Sequence, residues 1–229
     1  MTEGAAILVR PMLPWLAAAV LLSAVGAGVA ASAGAPIWVI GVIGLAAWLP
    51  LLAMAVLATG RAAGGWMALF LVLALTQSGH VGEHVVQIFQ LRVLGLTGEH
   101  AHGVFGALDI EWVHFAWNSW VLLAVAILLI RFRNNPWLWL TALLAGWHLF
   151  EHLVLITTYL TTGVEGTPGL LARGGLLGGG LGIARPELHL VYNLAETLPL
   201  LIGLGWEWRR RSLHGPSGEQ QLMAAELHG

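Results

Sequence analysis

The sequence predicts an all-α integral membrane protein with about six transmembrane helices, and three observations carry that reading. Of the 229 residues, 58% are hydrophobic and only 10% are charged, against about 25% charged in soluble domains. The mean hydropathy is +0.79. Apolar runs fall at roughly 12–32, 36–58, 65–90, 111–131, 137–161 and 187–207, each near the about 20 residues that a helix needs to cross the hydrocarbon. The formal net charge of −2 comes with no basic face, so nucleic acid is not an expected partner. With no cysteine, disulfides, thiolate metal sites and iron–sulfur clusters are excluded.

The first two runs form an N-terminal segment, 1–64. Arg10 precedes the first run, and Ala31-Ser32-Ala33 resembles a signal-peptide cleavage site. The run is long for a signal peptide, so an uncleaved anchor is expected. The third and fifth runs exceed a minimal span and contain histidines. Every basic residue is an arginine. With both termini inside, Arg10, Arg61, Arg131, Arg133, Arg209, Arg210 and Arg211 lie on the inner side, and only Arg92, Arg173 and Arg185 lie outside. The excess of positive charge predicts cytoplasmic N- and C-termini. Two outer loops follow from this topology. Residues 92–110 hold Glu99, His100, His102 and Asp109, and 162–185 is glycine-rich and expected to be slack. The polar tail, 209–229, carries His214 and His228, to which no role is assigned.

An internal repeat carries the chemistry. Residues 80–88 read H-V-G-E-H-V-V-Q-I and residues 148–156 read H-L-F-E-H-L-V-L-I, with five of nine positions identical. The following helix repeats a second pattern, in which His114 and Asn118 parallel His189 and Asn193. Segments 65–135 and 136–208 are therefore expected to be a tandem two-helix repeat, related by a pseudo-two-fold axis along the membrane normal.

At about 100° per residue, His80, Glu83, His84 and Gln87 share one arc of the third helix. His148, Glu151 and His152 share one on the fifth. Glu111, His114 and Asn118 do so on the fourth, and His189, Asn193 and Glu196 on the sixth. At about 1.5 Å per residue all four stripes reach a similar depth in the outer half of the bilayer. A four-helix bundle with a polar core follows.

Histidines spaced i and i+4 are a standard pair of metal ligands on one helix. The expected ligands are His80, His84, His114, His148, His152 and His189. Glu83 and Glu151 are expected to act as further ligands, bridges or proton-transfer groups. Gln87, Glu111, Asn118, Asn193 and Glu196 are expected behind the ligands, orienting them. An all-nitrogen and oxygen set suits iron, zinc, manganese or copper(II), with two ions accommodated by two symmetric ligand sets.

The leading functional expectation is a metal-dependent oxidoreductase acting on a lipid-soluble or periplasmic substrate, with membrane lipid around it. H-x-x-E-H is also the spacing with which inverzincins hold zinc through two histidines and use the glutamate as base, so a zinc-dependent intramembrane hydrolase is one alternative. A bis-histidine haem b protein and a metal-free polar core are the others. The closely adjacent histidine clusters of membrane desaturases and hydroxylases are missing.

Overall fold

A computed structural model of the chain describes residues 13–97, 100–106, 110–165 and 167–213. Arg10, Glu99, Asp109, His214, His228 and the rest of the tail beyond 213 lie outside the described residues. The described residues form seven helices and no strand: α1 Leu13–Ser32, α2 Ile37–Ala46, α3 Leu49–Ala63, α4 Gly65–Arg92, α5 Glu111–Arg131, α6 Pro136–Thr162 and α7 Arg185–Leu213.

Five of them are long and apolar enough to cross a membrane: α1, α4, α5, α6 and, over Arg185–Arg211, α7. The run expected as one span at 36–58 is broken into α2 and α3, which meet at a bend of 44°. Pro50 lies in the first turn of α3. It has no N–H to give to the carbonyl four residues earlier, and its ring would clash there, so the helix restarts at this point. Counted together, the bent pair supplies a sixth span.

The ends of the longer helices are specified locally. The buried Asn135 caps α6, its Oδ1 accepting from the Trp137 and Leu138 N–H groups at 3.1 and 3.2 Å. Gly163 closes α6 in the left-handed conformation. Glu111 opens α5 and Arg131 ends it, in the order that the helix dipole favours. Pro199 lies inside α7 without ending it.

Contacts divide the chain into two compact units, Met1–Ala68 with Gly82–Ile110, and Leu69–Val81 with Glu111–Gly229. In the first, α1 packs against α2 and α3. In the second, α5 packs on α6 and α6 on α7. Residues 69–81 of α4 lie against them, with the Phe70 ring on Phe132 and the Gln77 side chain bonded to Asn193.

The second unit has the inverse of a soluble protein's polarity. Large apolar side chains face outward, with Ile130 75% and Leu143 71% exposed. Gln77, His148 and Asn193 are fully buried. Such an arrangement is stable when the surroundings are as apolar as leucine and polar groups find partners only between helices. The core is layered. Phe70, Leu128, Leu138 and Leu200 are buried toward the end where α5 gives way to α6, together with Asn135, Thr141 and Glu207, and the histidines are buried toward the other end.

The glycine-rich segment is not slack. Backbone bonds fold it on itself, with the Gly174 N–H donating to Gly179 O, Leu177 N–H to Leu170 O and Leu181 N–H to Leu171 O at 2.8–3.0 Å. Leu170 and Ala172 are buried beneath it.

Candidate metal centre

In the second unit, five imidazoles meet: His80 from α4, His114 from α5, His148 and His152 from α6, and His189 from α7. His189 is at the centre. Its ring centroid is 4.8 Å from His114, 4.9 Å from His148, 5.0 Å from His152 and 6.1 Å from His80. The His114 and His152 rings are parallel to within 5° at 5.6 Å. His80 stacks on Trp117 at 5.0 Å, and His148 packs on Tyr192 at 5.1 Å. His148, His152, His114 and His189 are all buried. His84 lies one turn beyond His80 on α4 and is buried as well.

The ring nitrogens form two groups that share His189. His148, His152 and His189 each offer a nitrogen within 4.8 Å of the others, and so do His80, His114 and His189. The protons can be placed. His148 Nδ1 is 2.6 Å from Glu196 Oε1, and since a carboxylate only accepts, Nδ1 carries the proton and Nε2 presents its lone pair. His84 is arranged alike, with its Nδ1–H donating to Gln87 Oε1 at 3.0 Å. A carboxylate or amide behind the ring is how metal-bound histidines are commonly fixed in tautomer and orientation.

His148 Nε2 faces His152 Nε2 at 3.1 Å. Two nitrogens at that separation subtend about 95° at an ion bound at about 2.1 Å. A proton on His152 Nε2 would also bridge them, at a cost: His152 Nδ1 is buried and has no hydrogen-bond partner. Glu151 Oε2 and Glu196 Oε2 are buried and equally unpartnered. The two carboxylates leave negative charge beside the histidines that a bound cation would offset.

The asparagines act through the backbone. Asn118 Nδ2 donates to His114 O, and Asn193 Nδ2 to His189 O, at 2.9 and 3.0 Å, each bracing the carbonyl four residues earlier in its own helix. The Trp117 indole N–H donates to Gln77 Oε1, and Gln77 Nε2 donates to Asn193 Oδ1. That relay joins α5, α4 and α7 behind the histidines. Glu111 pairs with Arg185 at 2.6 Å, tying the start of α5 to the start of α7.

The two motif glutamates hold loops. Glu83 Oε1 accepts from the Phe105 N–H at 2.6 Å, and Glu151 Oε1 accepts from the Leu170 N–H at 2.8 Å. Beside each lies a glycine with positive φ, Gly103 at 80° and Gly169 at 66°. At either glycine a Cβ would collide with the glutamate's carboxylate. Gln90 completes the first clasp, its amide making paired bonds to the Gly103 backbone at 2.8 and 2.9 Å.

A cavity of ≈ 10 Å³ lies among His148, Glu151, His152, Arg185, His189 and Tyr192. This is roughly the volume of one water-sized sphere.

Gln77, Gln90 and Arg185 belong to this architecture without having been singled out from the sequence. The glutamines had a signal, since 77, 80, 84, 87 and 90 continue one stripe of α4. Arg185 had none beyond its place at the start of a span. His100 is exposed and His102 half-buried, both in the loop that folds back on α4. No protein-family model matches the chain, and neither curated proteins nor solved structures yield a match.

Proposed function

We propose that the chain is a multi-pass membrane metalloprotein holding one or two transition-metal ions among the histidines of α4–α7, with both termini cytoplasmic. The observation that carries this reading is the meeting of five imidazoles from four helices at ring distances of 4.8–6.1 Å, inside a unit whose exterior is apolar. The His148–His152–His189 group is one ion position. His80, His114 and His189 are the basis of a second. Oxygen and nitrogen ligands favour iron, manganese, zinc or copper(II). A bound redox-active ion would supply one-electron chemistry, and the proposed activity is an oxidoreductase acting on a lipid-soluble or periplasmic molecule.

The four-helix bundle built from a tandem two-helix repeat is part of the proposal, and two pairs of contacts support it. Asn118 and Asn193 brace the same carbonyl at the same spacing. Glu83 and Glu151 clasp a loop N–H next to a positive-φ glycine in the same way. Packing of the imidazoles against one another around a cavity of ≈ 10 Å³ favours an ion over a porphyrin.

The test is the double substitution His114→Ala with His152→Ala, which takes one imidazole from each proposed position. Metal should be lost while the protein still purifies as a folded membrane protein. Retention at the wild-type metal-to-protein ratio would leave only a structural polar core.

A further inference from the structure

The other end of the second unit holds a site of opposite character. A cavity of ≈ 550 Å³ opens where α5 ends and α7 runs out, lined by Arg131, Arg133, Arg210 and Arg211 together with Phe132 and Glu207. Four guanidinium groups surround it against one carboxylate. Measured along α6, the cavity lies about 18–24 Å from His148 and His152, so it is separate from the histidine cluster.

The cavity is built on a fixed frame. The turn between α5 and α6 is tied down by Asn135, whose Nδ2 donates to Gly203 O and to Glu207 Oε1 at 2.9 and 3.1 Å. Glu207 is thereby buried and directed to the turn. The Trp139 indole N–H donates to Arg133 O at 2.8 Å. Buried Phe132 is the centre of the basic surface, with the Arg131 guanidinium 5.7 Å and the Arg211 guanidinium 6.0 Å from its ring. Two cations from different helices are thus held near one aromatic ring, and each raises the cost of holding the other.

The surroundings fix the level in the membrane. Trp139, Trp206 and Trp208 are exposed around this end of α6 and α7, and tryptophans concentrate at the headgroup level of a bilayer. An anion at that depth is most abundantly the phosphate of a lipid. Basic pockets between transmembrane helices are sites for such headgroups.

We infer that this arginine cavity binds the headgroup of an anionic phospholipid. Recognition rests on charge and on bidentate guanidinium–phosphate hydrogen bonds, for which arginine is suited and a zwitterionic headgroup is a poor match. The inference is independent of whether the histidine cluster holds metal.

The test uses the full-length chain purified in neutral detergent, titrated with phosphatidylglycerol, phosphatidylcholine or inorganic phosphate. Binding is read by native mass spectrometry and by the shift in melting temperature. Phosphatidylglycerol should bind and raise the melting temperature, and the other two should not. Arg131→Gln with Arg211→Gln should weaken phosphatidylglycerol binding by about 25-fold, taking roughly fivefold for each arginine near an anionic headgroup. If that variant fails to fold, Arg133→Gln with Arg210→Gln provides the same reading from the other side of the cavity. Arg61→Gln, which removes an arginine outside the cavity, should leave the affinity unchanged. Equal binding of phosphatidylcholine would overturn the inference. So would equal stabilisation by inorganic phosphate, which would make this a free-anion site. An equal loss in Arg61→Gln would reduce it to diffuse surface charge.

Discussion

Glu196→Gln is the substitution that most sharply separates a metal centre from a polar core. Glu196 and His148 are both essentially unexposed, and a 2.6 Å bond joins them. Glutamine preserves the volume and removes the charge. In a metal centre, the carboxylate behind His148 raises the basicity of Nε2 and fixes the tautomer. Loss of such a group lowers metal affinity by about 10–100-fold, or about 1.4–2.8 kcal/mol. An amide that turns its NH₂ toward Nδ1 would also push the ring proton onto Nε2 and block the lone pair, which moves the effect toward the larger figure. The assay is a chelator competition titration at fixed pH with purified protein in neutral detergent. Glu207→Gln is the control, because Glu207 is a buried carboxylate on the same helix that serves the Asn135 turn instead. A metal Kd for Glu196→Gln within twofold of wild type would mean that Glu196 does not act through a metal ligand.

Other outcomes follow from the loops and the helix ends. Gly169→Ala should destabilise the fold by at least the about 1–2 kcal/mol of a forced left-handed residue, because its Cβ also meets the Glu151 carboxylate. Gly146→Ala, in open space inside α6, should instead raise the melting temperature slightly, and thermal unfolding of the pair checks both. Arg185→Ala strands the buried Glu111 carboxylate and should cost up to about 3 kcal/mol, the low end for a buried pair, because Arg185 is 26% exposed. Adding Glu111→Gln should recover much of that loss in the same thermal assay. Asn135→Ala removes the α6 cap and two bonds to α7, and a loss of about 2 kcal/mol should appear as a lower melting temperature.

Most of the helical layout is legible in the amino-acid sequence because it rests on run length and apolarity. The starts and ends of α1, α5 and α6 follow from where polar residues and Pro136 interrupt the runs. Pro50 marks the break between α2 and α3 as well, but hydropathy alone treats the stretch as continuous. The polar stripes were legible because 3.6-residue periodicity puts His80 with His84 and His148 with His152 on one face. Two things were not legible. The pairing of Glu83 with Phe105 and of Glu151 with Leu170 depends on loop conformations set by Gly103 and Gly169, and no periodicity reports these. The order folded into 167–184 depends on backbone bonds that a glycine-rich composition conceals. The asparagines illustrate a subtler gap. Their spacing from His114 and His189 put them on the right face, yet their side chains serve the histidine carbonyls rather than the rings.

X-ray absorption combined with elemental analysis of the wild-type protein decides whether the histidines bind a metal ion. One or two equivalents of a transition metal per chain are expected, with a first coordination shell of nitrogen or oxygen at about 2.0–2.2 Å and the outer-shell scattering of imidazole rings. Protein that stays folded yet carries no transition metal above background, even after incubation with iron, zinc, manganese and copper(II) salts, would contradict metal binding.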